Sequence, residues 1–243
     1  MTKGASIKFK SYKETTPKIL ELLNLQYELK KYDKIVLKPN LTLTQESSTP
    51  KEFVEAVLKF CLENKNPVSE VFIAEGADGE DTHELFRTNG YNALAEKYSV
   101  SLIDLNETET EELETSDFLK FSSIHYPKIL RESFVLSLPK LTENEETEIF
   151  GSLANMLGTF PASKYKGFFS KTKNKIRKWH IKYSIHDILR CKMPDFAVID
   201  ASTKGVVLAG LPIEIDKQAA KILEKDWQRV SHLNLVNEEF TEK

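Results

Sequence analysis

The chain has 243 residues, 40% of them hydrophobic, and a formal net charge of -3 from 34 basic and 37 acidic side chains. That is enough apolar content for one full core, and the near-balance of charge speaks against a protein that is basic throughout. Cys61 and Cys191 are the only cysteines, which excludes a disulfide framework or a cysteine-ligated iron–sulfur cluster within the chain. No apolar run approaches the roughly 18 residues of a membrane-spanning helix, and Lys8 and Lys10 interrupt the short apolar pieces near the start as no signal peptide would allow. The expectation is a soluble cytoplasmic protein with no cofactor and no membrane partner.

In chain order, strand and helix signals alternate. Ile7–Phe9 reads as a strand, and Thr16–Pro17 as the start of a helix. Lys34–Leu37 reads as a buried strand stopped by Pro39. Thr49–Pro50 then opens a helix, with Thr49 as cap and Glu52 reaching back to it, and Phe53, Val54, Val57, Leu58, Cys61 and Leu62 mark its core face. Val71–Ala74 is a strand that runs into the acidic loop Glu75–Thr82. One helical segment to about Lys97 follows, and then a strand over Ser99–Asp104. The acidic run Glu107–Asp117 reads as solvated surface. Ser133–Leu138 is a strand, Glu145–Leu157 a helical stretch, and Pro161–Lys178 an irregular insertion. Phe196–Asp200 and Gly205–Leu208 are strands, and Asp216–Leu223 is a helix. This rhythm predicts a single α/β domain over residues 1–243, with a mainly parallel or mixed sheet covered by helices.

From Ile149 to His186 there is no acidic residue. Lys164, Lys166, Lys171, Lys173, Lys175, Arg177, Lys178 and Lys182 lie in this window among Tyr165, Phe168, Phe169, Trp179 and Tyr183, so the segment at about 161–182 favours an anionic partner.

A series of landmarks runs through the chain in order: Val36–Leu41, Thr49–Pro50, Ala74–Gly76, Thr88–Tyr91, Leu138–Lys140, Asn155–Gly158, Trp179–His180, Val198–Ala201, and Ala209–Gly210 with Asp216. Together they resemble the domain of unknown function 362 family. The resemblance implies Lys-Thr-His where this chain has Thr142, Glu143 and Asn144, a lysine at Ala154, a longer glycine-rich loop at Ser202–Gly205 and an aspartate at Leu211. A family site built from those groups is incomplete here, which leaves open a ligand-binding protein that has lost catalysis.

Ligands of α/β sheets gather beyond the carboxyl ends of the strands. Lys38, Asn40 and Lys140 are therefore expected to share one anionic small molecule, with Asn155 and Asp200 as further ligand-binding residues. His180, in the basic window, is the candidate catalytic residue of a possible enzyme. Glu75, Asp78, Glu80 and Asp81 match no metal-loop spacing, and they read as turn and helix-start residues with no metal. A further alternative is RNA binding through 164–182, where lysines and aromatic faces alternate.

Overall fold

The computed structural model describes residues 4–44 and 46–241. Strand β1 (Gly4–Lys8) is followed by α1 (Tyr12–Leu22), α2 (Leu25–Leu29), β2 (Lys34–Pro39), α3 (Lys51–Asn64) and β3 (Glu70–Glu75). Next come α4 (Thr82–Thr88), α5 (Tyr91–Tyr98), β4 (Ser101–Asp104), β5 (Thr110–Leu113), β6 (Ile124–Pro127), α6 (Lys128–Arg131) and β7 (Phe134–Leu138). The rest of the chain supplies α7 (Ala162–Tyr165), α8 (Ile181–Cys191), β8 (Phe196–Ala201), β9 (Val206–Gly210), α9 (Pro212–Ile222) and α10 (Ser231–Thr241).

Seven strands form one sheet in the order β1-β9-β8-β7-β2-β3-β4, and β5 and β6 make a separate antiparallel pair. Strands β8, β7, β2, β3 and β4 run parallel. Strand β9 is antiparallel to β8, and β1 to β9. From β2 the chain steps outward to β3 and β4, then returns to the other side of β2 for β7 and β8. The connectivity thus reverses between β2 and β7, and the crevice outside that point is where open α/β sheets hold ligands.

Side chains alternate between the two faces of the sheet. Ile35, Leu37 and Val198 pack under Leu20 of α1, Phe53 of α3 and Tyr91 of α5. Val36 and Val135 face the other way, against Tyr126 of β6, Ile185 of α8 and Leu233 of α10. The result is a single α/β domain with a mixed, mostly parallel sheet, as expected. Among the described residues no helix is long and apolar enough to cross a membrane.

Several elements differ from the sequence expectation, each for a local reason. Helix α1 begins at Tyr12 because Ser11 Oγ accepts from Glu14 N at 3.3 Å, which leaves Pro17 inside the helix. Thr49 does not cap α3. Its hydroxyl donates to Leu138 O at 2.8 Å and accepts from Asn40 N at 2.9 Å, tying the ends of β7 and β2 together while Pro50 takes the cap position. The segment up to Lys97 divides into α4 and α5 at Gly90, whose φ of 76° lies in the left-handed region. The acidic run 107–117 is not all irregular surface, since Thr110–Leu113 pairs with β6. No α-helix forms over 145–157. There the carboxylate of Asp216 takes Ser152 N and Leu153 N at 2.7 and 2.9 Å, and only a 3-10 turn follows, at Ala154–Thr159.

Candidate ligand-binding cleft

Lys38 shares the face of β2 that carries Val36, and its side chain is fully buried. Its ammonium donates to Glu75 Oε1 and Oε2, both at 3.2 Å, to Asn155 Oδ1 at 3.0 Å and to Pro39 O at 3.3 Å. Burial lowers the Lys38 pKa, and the Glu75 carboxylate opposes that shift. Asn155 is fixed in return, since its amide donates to Lys38 O at 2.9 Å and Ser137 Oγ at 3.0 Å. Gly158 covers the pair. A Cβ there would lie 2.6 Å from Glu75 Oε1 and 2.7 Å from Lys38 Nζ, so only glycine lets this backbone come so close.

Lys173 forms the next layer. It is buried, donating from Nζ to Gly76 O at 2.7 Å and Gly158 O at 3.0 Å, and from its backbone N to Asp78 Oδ1 at 2.6 Å. Burial brings its pKa down to about 7 against the pull of Glu75 and Asp78. Arg177 lies between Asp78 Oδ2 at 2.7 Å and Glu146 Oε1 at 2.6 Å. The basic segment therefore docks on two acidic stretches of the same chain, and part of its charge is neutralised internally.

Above this base lies a cleft of about 440 Å³. Its walls are residues 40–44 and 47 after β2, residues 75–78 and 80 at the end of β3 and beyond it, and residues 142–144, 146 and 147 after β7, with Leu157, Gly158 and Arg177. It therefore occupies the crevice at the β2–β7 reversal. Glu75, Asp78, Glu80, Glu143 and Glu146 line it, against Arg177 as the single lysine or arginine among the described lining residues, and the lining holds no histidine or cysteine. Hydroxyl and amide groups fill much of the remainder: Asn40, Thr42, Thr44, Thr142, Asn144 and Thr147.

The residues singled out from the sequence fall into three places. Lys38 and Asn155 are bonded to each other under the cleft, and Asn40 lines its rim, with Nδ2 donating to Ser47 O at 3.2 Å. Lys140, just after β7, and Asp200, near the end of the neighbouring β8, are joined by backbone pairing, with Leu141 N donating to Asp200 O at 2.9 Å. The Asp200 side chain shares the face of Val198, opposite that of Lys38, and accepts from Tyr12 Oη and Ser202 N, both at 3.0 Å. His180 is exposed at the start of α8, where its Nδ1 accepts from Lys182 N at 3.3 Å. The acids of the loop after β3 have separate partners: Glu75 holds Lys38, Asp78 holds Lys173 and Arg177, and Asp81 caps α4 through Glu84 N at 2.9 Å. His83, Asp104 and Glu107 stand near one another on the partly exposed rim beyond β4. The sequence reading missed the burial of Lys173, and the available signal was Gly76 and Gly158, which mark close backbone approach.

The signature described as domain of unknown function (DUF362) matches residues 35–207. The chain belongs to the DUF362 family. In this DUF362 chain the landmarks Lys38, Glu75, Asn155 and Gly158 are contiguous in space, and they build the base of the cleft. Thr142, Glu143 and Asn144, which stand where the resemblance implies Lys-Thr-His, all line it. Among solved structures, the fold is similar to that of the lactate racemase apoprotein from Thermoanaerobacterium thermosaccharolyticum, with a TM-score of 0.58 and 13% identity over 88% of this chain and 56% of that one. A protein from Thermotoga maritima aligns with a TM-score of 0.46 and 12% identity over 89% of this chain and 61% of that one. The DUF362 chain thus spans less than two thirds of the length of either, and at 13% identity the likeness to the lactate racemase apoprotein is one of fold. No curated protein matches the sequence.

Proposed function

We propose that this chain binds a small polar molecule in the cleft at the β2–β7 reversal. The observation that carries the reading is that loops following three parallel strands converge there over a rigid base made by Lys38, Glu75 and Asn155. Hydroxyls and amides from Asn40, Thr42, Thr142 and Asn144 supply the hydrogen bonds that orient a ligand. Among the lining carboxylates Glu75 is paired with Lys38 and Glu143 with Lys225, while Asp78 and Glu146 share Arg177; Glu80 and the second charge of that shared pair therefore favour a polyhydroxy or amine-bearing compound.

A second reading keeps the anionic small molecule expected from the sequence, and Arg177 favours it. Its guanidinium faces the cleft, and Lys38 and Lys173 stand behind the lining. An anion there competes with Asp78 and Glu146 for the same donors.

The test is a matched set of probes, a polyol with its amino and its carboxylate derivatives, titrated by calorimetry against the purified chain. Tightest binding by the amine or polyol, weakened at least tenfold by Asn144→Ala with unchanged melting of the free protein, supports the first reading. Tightest binding by the carboxylate, lost on Arg177→Gln, replaces it with the second. Absence of saturable binding by any probe defeats both.

A further inference from the structure

Phe168 and Phe169 are 95% and 97% exposed, the most open of the large apolar side chains among the described residues. They sit at the tip of a loop closed at its neck by Gly167 N donating to Asn174 Oδ1 at 2.8 Å, and braced by Ser170 Oγ donating to Thr172 O at 2.9 Å. The two rings pack edge to face on each other, with centroids 4.9 Å apart and planes at 83°, forming one compact apolar knob. Lys164, Lys166, Lys171 and Lys175 flank it on both sides in the chain and are exposed. The acids that face the segment are taken by Lys173 and Arg177 deeper in the fold. Lys164, Lys166, Lys171 and Lys175 therefore have no carboxylate partner among the described residues. Lys175 Nζ donates to Lys164 O at 2.8 Å, which fixes the base of the loop.

We infer that this tip docks the protein on a bilayer surface bearing anionic headgroups, the two phenylalanines entering the interface and the four lysines meeting lipid phosphates or carboxylates. Exposed apolar side chains in a segment that carries exposed lysines on both sides complement a surface that is apolar a few ångströms below a negative layer. The knob suits insertion better than base stacking, because edge-to-face packing turns one ring against the other and offers no pair of parallel platforms. The whole chain carries a net charge of -3, so an anionic surface attracts this face and repels the molecule as a whole, which orients the encounter. Contact through a loop tip needs no spanning helix. Neither ring lies in the cleft, so this contact is independent of the ligand proposed there.

The experiment is cosedimentation of the full chain with vesicles of phosphatidylcholine alone and of phosphatidylcholine with phosphatidylserine, at low and high salt. The expected result is binding to the serine-containing vesicles that weakens with salt. It should fall more than tenfold in Phe168→Ser/Phe169→Ser and more than tenfold in Lys166→Gln/Lys171→Gln, each lysine contributing about fivefold, with melting temperatures unchanged. Equal binding to both vesicle types, no binding, or binding untouched by the phenylalanine pair overturns the inference. So does a single-stranded oligonucleotide that binds more tightly than the vesicles and is lost in the phenylalanine variant, an outcome that assigns the tip to nucleic acid.

Discussion

Lys38 shows how a single position can be legible as important and illegible in role. A lysine just before a strand-ending proline reads as a solvated ligand donor, yet in the fold it is a buried cation satisfied by Glu75 and Asn155. Removing one partner of such a pair leaves an uncompensated buried charge. Lys38→Met is therefore expected to lower unfolding free energy by about 3–5 kcal/mol, and Lys38→Met/Glu75→Gln to recover part of that loss in urea denaturation. Lys173 gives a second residue-level expectation. Its pKa is about 7 in the fold against 10.5 in the unfolded chain. Between those values the unfolded chain binds the extra proton, so stability rises with pH there, by at most about 1.4 kcal/mol per unit. The gain is complete above about 10.5 and absent below about 7. Lys173→Met should remove that slope from denaturation curves measured across pH 7–10, and an unaltered slope would place the buried titration elsewhere.

At the scale of elements, the loop between β7 and the 3-10 turn is held by one side chain from α9. Asp216 accepts from Ser152 N, Ser152 Oγ and Leu153 N, and a Cβ on Gly151 would lie 2.7 Å from its Oδ1. Asp216→Ala strands these donors and should cost on the order of 3 kcal/mol. Asp216→Asn, which retains one acceptor, should cost less in the same assay. This anchor also explains what could be read in advance. Strand and helix order was visible because Val36, Val71 and Val198 sit in short apolar runs bounded by turn residues. The stretch 145–157 has helical composition, but a carboxylate more than sixty positions away captures its backbone donors, and no local pattern encodes that. Helix α8 escaped notice because the basic window hides its apolar face of Ile181, Ile185, Ile188 and Leu189. Site residues on either side of the sheet were merged for a similar reason. Strand ends are visible in sequence, whereas whether Lys38 and Asp200 share a face depends on where each strand's alternation begins.

For the molecule as a whole, two buried groups set opposite pH slopes over nearly the same range. Burial raises Asp216 to about 6 and lowers His232 to about 4. Between pH 3.8 and 6 the folded chain holds the Asp216 proton that the unfolded chain has lost, so that group makes stability fall as pH rises. Between pH 4 and 6.5 the unfolded chain holds the His232 proton, so that group makes stability rise. Their contributions offset one another, and His232→Leu should uncover a decline in stability from pH 4 to pH 6 that the natural sequence does not show in chemical denaturation.

The strand pairing at the far edge of the sheet separates the limits of recognition from the limits of folding. The family signature ends at residue 207, inside β9, and begins at residue 35, after β1, α1 and α2. Strand β1 shields the outer edge of β9, and Leu20 of α1 covers one face of the sheet. A fragment cut to 35–207 would present an unpaired strand edge and a bare apolar layer, both templates for association between chains. Such a fragment should accumulate as aggregate, while the chain from residue 4 onward stays monodisperse in size-exclusion chromatography. Segments that the signature omits are, on this account, what keeps the recognised part from adhering to its own copies.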